Sequence, residues 1–266
     1  GSSFLEKNGT FTNAERRISR VRKVMAPKNG YEDWEITQML SNALGYPMNY
    51  KHASEIMDEV AQLTPTFKGV SYEKLDKLES IQWPCNDEFP EGTPTMHVDE
   101  FVRGKGKFFI TEYVPTVEKV NGKFPLIMTT GRILAHYNVG AQTRRTKNSE
   151  WHDEDLIEIH PHDAEERGIN ERDWVGINSR SGDTVLRAKI TDRVQPGVVY
   201  TTFHHPVSGA NVITTDNSDW ATNCPEFKVT AVQVTKVTQP SNWQSKYQKF
   251  SEKQIDFVKN GEEKVN

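Results

Sequence analysis

Phe124-Pro125-Leu126-Ile127-Met128-Thr129-Thr130-Gly131-Arg132-Ile133-Leu134-Ala135-His136-Tyr137-Asn138-Val139-Gly140-Ala141-Gln142-Thr143-Arg144-Arg145 decides the fold of this 266-residue chain. Its first half reads as a short apolar strand that stops at a Thr-Thr-Gly turn. Its second half mixes aromatic, amide and guanidinium groups, the chemistry that holds a polar ligand. After it the sequence becomes a series of short strands separated by turns: Leu156 to Ile159, Trp174 to Asn178, Val185 to Ile190, Val198 to Phe203, and Phe227 to Val237. One short helix interrupts them at Pro161 to Arg167, with Pro161 in its first position and Gly168 as the stop. Strands at this spacing predict a closed barrel rather than a doubly wound sheet.

Upstream the texture differs. Residues 14 to 24 are basic and β-branched and are read as a strand; the basic cluster is either a solvated face or a meeting place for phosphate or an acidic partner. Asp33 to Gly45 is an amphipathic helix capped by Asp33, with Trp34, Ile36, Met39, Leu40, Ala43 and Leu44 on its core face. A second helix runs from Ala53 to Leu63, with Ile56, Val60 and Leu63 inward, and a third from Tyr72 to Leu78. Residues 80 to 123 are rich in Pro, Gly and charge and read as a linker, with one β segment at Lys107-Phe108-Phe109-Ile110. The tail from Gln239 is polar and is expected to drape over the surface or fray.

Composition narrows the functions. A net charge of -4 gives no electrostatic case for nucleic acid or an anionic membrane surface. Cys85 and Cys224 stand far apart without Cys-x-x-Cys spacing, so neither an iron–sulfur nor a structural zinc site can be built from them. No apolar run approaches the ~20 residues of a membrane span and no signal peptide precedes the chain, so a cytoplasmic location is the expectation. A low mean hydropathy of -0.71 and a start at Gly1 without Met suggest a piece of something larger. His136, His152, His160, His162, His204 and His205 cluster in the second half, yet no His-x-x-x-His pair supplies a metal site. No Gly-x-Gly-x-x-Gly or Gly-Lys-Ser/Thr occurs either. Gly131 does have company: Arg132 and Asn138 add donors, Tyr137 a stacking face, and similar chemistry recurs at His204, His205, Asn211, Thr214 and Asp216. Two such loops after strands of one barrel could hold a bulky nucleotide from both sides.

The run from Thr129 to Asn138 with Thr143-Arg144-Arg145 resembles the cofactor loop of the C-terminal domain of molybdopterin oxidoreductases. Glu6 to Arg17 (with Gly9-Thr10-Phe11-Thr12-Asn13), Glu158 to Ala164 with Gly168-Ile169, Tyr200 to Pro206, Asn211 to Thr214, and Pro225 to Lys228 are similar to formate dehydrogenase catalytic (alpha) subunits. The resemblance covers nearly all of residues 1 to 240. It implies a mixed α+β chain. Residues 1–80 would be the end of a central domain with helical segments, 81–123 a linker, 124–240 a six-stranded double-psi β-barrel binding the molybdopterin dinucleotide, and 241–266 a polar tail. The cofactor implied is molybdenum (or tungsten) bis-molybdopterin guanine dinucleotide, with iron–sulfur clusters upstream of this segment. Cofactor-binding residues carried over are Thr130, Gly131, Arg132, Ile133, Leu134, His136, Tyr137 and Asn138 in the loop, with Phe203, His204, Asn211 and Lys228. Arg132 ranks first, because an arginine makes charge-assisted, often bidentate hydrogen bonds to a pyrophosphate.

The family's metal-bound Cys or selenocysteine, its following His, its active-site Arg and its iron–sulfur cysteines have no counterpart here, and Cys224 matches no ligand position. No catalytic or metal residue is therefore assigned, and the segment alone is expected not to turn over formate. The resemblance further implies upstream domains of the same polypeptide and diaphorase-type subunits as partners, and formate as the substrate, with electrons passing to NAD. A nitrate reductase-type relative and a non-enzymatic double-psi binding module stay open.

Overall fold

Gly9–Thr12 (β1) and Arg17–Val21 (β2) pair antiparallel, Thr12 opposite Ile18. The turn between them is set by Asn13, whose Oδ1 accepts from the N–H groups of Glu15 (2.9 Å) and Arg17 (3.0 Å). The computed structural model describes residues 1–250 and divides into two units, residues 1–111 and residues from 112 onward. In the first unit Ser80–Gln82 (β3) completes a three-stranded sheet against β2, and Ile18, Val70, Leu75, Ile81 and Cys85 form its core. The strand reading of residues 14 to 24 holds for Arg17–Val21 alone. The basic cluster is spent on the chain itself: Arg20 and Arg22 share the Asp76 carboxylate at 2.8 Å each, and Arg16 donates to the carbonyls of Trp83, Thr93 and Pro94.

The helices are Asp33–Ala43 (α1), Ala53–Leu63 (α2) and Tyr72–Leu78 (α3). Two expectations about α1 are corrected. Its N-cap is Glu32, not Asp33: Glu32 has extended backbone angles and forms a reciprocal capping box with Glu35. Asp33 is instead engaged by Ser2 N–H and Lys7. Nor is its apolar face core; none of its residues is buried, and Met39, Leu40 and Leu44 are exposed, as is Leu63 of α2. Helical periodicity defines a face but not the surface that would cover it. Residues 107–110 form no strand, a third correction. Phe108 and Ile110 are both 99% exposed, and β-prone residues without a neighbouring strand to bond have nothing to stabilise the ladder.

In the second unit the strands are Leu126–Gly131 (β4), Leu156–Ile159 (β5), Trp174–Asn178 (β6), Asp183–Ile190 (β7), Val198–Thr202 (β8) and Thr230–Lys236 (β9). They close into a six-stranded mixed barrel in the order β4-β8-β5-β7-β6-β9. Alternation places Leu126, Met128 and Thr130 of β4 inside, beside Ile157, Ile177, Val199 and Val234. Pro161–Glu166 (α4) begins where the sequence places it, with His160 Nδ1 accepting from His162 N–H. Several strand limits shift: β7 begins at Asp183 rather than Val185, β8 ends at Thr202 rather than Phe203, and β9 ends at Lys236 rather than Val237. Thr129-Thr130-Gly131 is strand rather than turn, because β4 stays paired to β8 as far as Gly131 opposite Thr202. β9 starts at Thr230, since Phe227 and Lys228 bond sideways to Thr130.

Residues 239–250 do not fray. Gln244 is buried and bonds both the N–H and C=O of Val185 on β7, at 3.0 and 2.7 Å. The remainder of the expected tail, residues 251–266, lies outside the described residues.

Candidate functional site

Strand directions build the site. β4 and β8 run parallel, so Gly131 and Thr202 leave the barrel at the same rim; β5 and β9 run antiparallel to them and begin there. Four chain segments therefore meet: the loop after Gly131, Phe203-His204-His205, Asp155 and Phe227-Lys228. Thr130 joins two of them, its Oγ1 donating to Phe227 O (3.0 Å) and its carbonyl accepting from Lys228 Nζ.

Gly131 is required by its neighbour. A Cβ there would lie 2.7 Å from Cε2 of Tyr200, whose hydroxyl donates to Arg132 O at 2.9 Å and fixes the loop's first residue. Gly131→Ala is expected to cost about 1–3 kcal/mol of unfolding free energy through this overpacking, read by urea denaturation. Arg132 is exposed, lies over the Phe203 ring with Cζ 5.5 Å from its centroid, and donates to Asn138 Oδ1 at 3.3 Å. Leu134 and Tyr137 are exposed beside it. The loop then turns at Asn138 (φ 48°) and Gly140 (φ 66°). A Cβ on Gly140 would come within 2.7 Å of His204 O, so only glycine fits that turn.

Three histidines lie beneath the loop. His136 is buried, with Nδ1 2.9 Å from Thr143 Oγ1 and Nε2 2.7 Å from His152 O. His204 is fully buried; its Nδ1 is 2.7 Å from Asn138 O and its Nε2 accepts from Ile133 N–H at 3.3 Å. Burial holds the His204 imidazole below its ordinary range despite the bond to Asn138. The rings of His136 and His205 stand 5.4 Å apart, edge to face.

Asp155 organises this layer, and sequence reasoning missed it. Only 3% exposed, it accepts from His204 N–H (3.1 Å), His205 N–H (2.8 Å) and the Thr202 hydroxyl. His205 Nδ1 lies 3.3 Å from Asp155 Oδ1 but off the hydrogen-bonding direction. Burial would raise the Asp155 pKa; the close His205 ring, the Thr202 hydroxyl and the backbone N–H groups outweigh it and lower the value to about 2. Asp155 ends the run His152-Asp153-Glu154, which reads as a solvated charge cluster, and only barrel closure shows its partners.

Of the residues singled out from sequence, the structure gathers Thr130, Gly131, Arg132, Ile133, Asn138, Phe203, His204 and Lys228 at one rim, with Leu134, His136 and Tyr137 in the same loop. Asn211 meets them only through Phe227, the neighbour of Lys228. Asn211, on Ala210–Ile213 (α5), lines a cavity of about 810 Å³ with Arg180, Asp216 and Phe227. Arg132, Ile133 and Leu134 border another of about 420 Å³, walled by Glu158, Lys189, Arg193 and Tyr200.

The donor set suits a phosphorylated ligand. The N–H groups of Leu134, Ala135, Tyr137 and Asn138 find no acceptor among the described residues, and Arg132 stands beside them. Successive unpaired backbone N–H groups in irregular loop form an anion-binding concavity. A metal finds less support: the one group of candidate ligands among the described residues is His162, Asp163 and Glu166, remote in sequence from the loop. No helix among those residues is long and apolar enough to cross a membrane.

Residues 126–231 match the family described as molydopterin dinucleotide binding domain. The chain is 41% identical over 240 residues to the F420-dependent formate dehydrogenase subunit alpha of Methanocaldococcus jannaschii, covering 88% of this chain and 36% of that protein. It is 37% identical over 243 residues to the F420-dependent formate dehydrogenase 1 subunit alpha of Methanococcus maripaludis, covering 89% and 36%. It thus spans about a third of the length of these relatives. Acetylene hydratase from Pelobacter acetylenicus shares the fold, with a TM-score of 0.64 at 16% identity over 89% of this chain and 37% of that one. Residues 126–231 thus match the molydopterin dinucleotide binding domain, within a chain similar to formate dehydrogenase alpha subunits over nearly nine-tenths of its length.

Proposed function

We propose that the chain is the dinucleotide-binding, C-terminal part of a molybdenum-dependent formate dehydrogenase alpha subunit, and that the loop from Thr130 to Asn138 is one wall of the cofactor site. The observation that carries this reading is the rim itself: unpaired N–H groups of Leu134, Ala135, Tyr137 and Asn138, with the Arg132 guanidinium beside them, follow a barrel strand of the matched family. In this reading Arg132 and the loop amides take the pyrophosphate, Tyr137 and Leu134 meet the flat heterocycle, and Lys228 closes the rim through Thr130. Phe203 supports Arg132, while His136 and His204 hold the loop from below. Two cavities, one beside Arg132 and one beside Asn211, accommodate the two guanine dinucleotides of a bis-molybdopterin cofactor.

The bound group supplies the two-electron oxidation of formate to carbon dioxide. This chain's residues bind and orient it. The metal ligand, the iron–sulfur centres, and diaphorase-type partner subunits belong to the rest of the polypeptide and its assembly in the cytoplasm. NAD is the acceptor proposed from sequence; the two relatives above are F420-dependent by name, so F420 is the competing choice. Residues 1–80, 81–123, 124–240 and 241–266 are proposed as central-domain end, linker, dinucleotide barrel and tail.

Acid hydrolysis of the cofactor from protein purified with its native complement tests the reading. Release of guanosine monophosphate in two-to-one ratio to molybdenum is the expected result. Cytidine monophosphate in its place would refute the guanine form, and absence of any nucleotide would refute the reading itself.

A further inference from the structure

We propose that His204 is a positioning residue that latches the dinucleotide loop from inside the barrel rim, rather than a group that touches the ligand. The inference rests on the reading of that loop as a cofactor wall. Its ring has no exposed surface, and both nitrogens are committed to the loop's backbone at two places five residues apart: Nδ1 to Asn138 O at 2.7 Å and Nε2 to Ile133 N–H at 3.3 Å. A carbonyl can only accept and an amide can only donate, so these two contacts specify one species, the neutral imidazole with its proton on Nδ1. An imidazolium would turn an N–H toward Ile133 N–H.

The latch is itself anchored. His204 N–H and His205 N–H both donate to the Asp155 carboxylate, at 3.1 and 2.8 Å, which fixes the end of β8 to the start of β5. His204 O sits under Gly140, where no Cβ fits. The rings of Phe203 and His136 pack at 5.3 and 5.8 Å. Between the two tethered points lie the unpaired N–H groups of Leu134, Ala135 and Tyr137, with that of Asn138 at one tether. Tethering both ends gives those donors a shape before a ligand arrives, which reduces the ordering cost of binding.

The experiment has three arms on the full chain. Nitrogen-15 NMR of wild-type protein at neutral pH is expected to show the His204 ring protonated at Nδ1 and bare at Nε2. The opposite tautomer, or an imidazolium, would overturn the latch, and this arm needs no variant to fold. In His204→Phe, amide hydrogen exchange at Ile133 and Gly140, loop N–H groups that have acceptors, is expected to quicken about tenfold or more while β4 and β8 amides keep their rates. His204→Gln, which carries a donor and an acceptor, is expected to recover part of that protection. Unchanged loop exchange in His204→Phe would overturn the latch. The third arm titrates guanosine diphosphate as a probe. Weaker binding in His204→Phe, restored in part by His204→Gln, supports positioning; a faster-exchanging loop with unchanged binding overturns it. No binding by a wild-type chain with the expected tautomer and exchange would leave the latch in place and overturn the cofactor-wall reading instead.

Discussion

Asp155→Ala is expected to lower the unfolding free energy of the barrel unit by about 3–5 kcal/mol, measured by urea denaturation, the cost typical of breaking a buried charged network. The side chain receives the N–H groups of His204 and His205 and the Thr202 hydroxyl, and alanine leaves all three donors without an acceptor in a space water does not reach. Asp155→Asn keeps the shape and one acceptor oxygen but turns an NH2 group toward N–H donors, so an intermediate loss is expected. A loss below about 1 kcal/mol in the alanine variant would contradict the place given to this residue.

The same carboxylate sets a pH dependence. Its pKa is depressed from 3.8 to about 2 on folding, so the unfolded chain binds the proton more readily. Stability from this group is therefore present above pH 3.8 and is lost as pH falls toward 2, by about 2 kcal/mol in total. His204, also depressed, acts at higher pH: its contribution is full above its ordinary value of 6.5 and declines as pH falls below it. Between pH 3.8 and 2 the wild type is expected to lose about 2 kcal/mol more stability than Asp155→Asn, the remaining loss coming from other depressed carboxylates such as Glu32 and Asp33. Equal losses in the two proteins would take this share of the acid limb away from Asp155.

Much of this barrel was legible because alternation is a local signal. β5 and β6 coincide with their sequence readings and α4 differs only by its last residue, since each shows its periodicity or its Pro start and Gly stop within a few residues. What was not legible depends on partners distant in sequence. Thr130 and Gly131 remain strand only because β8 pairs with them from some 70 positions away. Phe108 to Ile110 has the right residues for a strand and no neighbour to bond. Asn211 shares the polar-aromatic composition of the loop but lines another cavity, because composition does not say which neighbours a segment leaving the same rim will meet. Glu118 shows the same limit: it lies in the linker stretch, yet it is buried, pairing with Arg180 at 3.0 Å and accepting from Ala231 N–H at 2.8 Å. The cofactor loop was marked by the density of its donors, whereas the Asp155 and His204 layer beneath it became visible only through burial and bond geometry.

The central claim concerns Arg132. Its guanidinium is exposed and, among the described residues, holds no carboxylate and is steadied only by the Phe203 face and by Asn138 Oδ1, so little of the fold depends on it. A planar fork of this kind, set beside unpaired N–H groups, matches a pyrophosphate in charge and geometry. Loss of such a charge-assisted contact is worth about 1.5–3 kcal/mol, or roughly 10- to 100-fold in retention of the dinucleotide. Arg132→Lys keeps the charge but not the fork and is expected to fall between. The most direct measurement is molybdenum and guanine nucleotide per protein in the intact enzyme carrying Arg132→Ala, with thermal stability measured on the same sample. Occupancy reduced tenfold or more at unchanged stability is the predicted result; full occupancy of both would contradict the assignment of this loop as the cofactor wall.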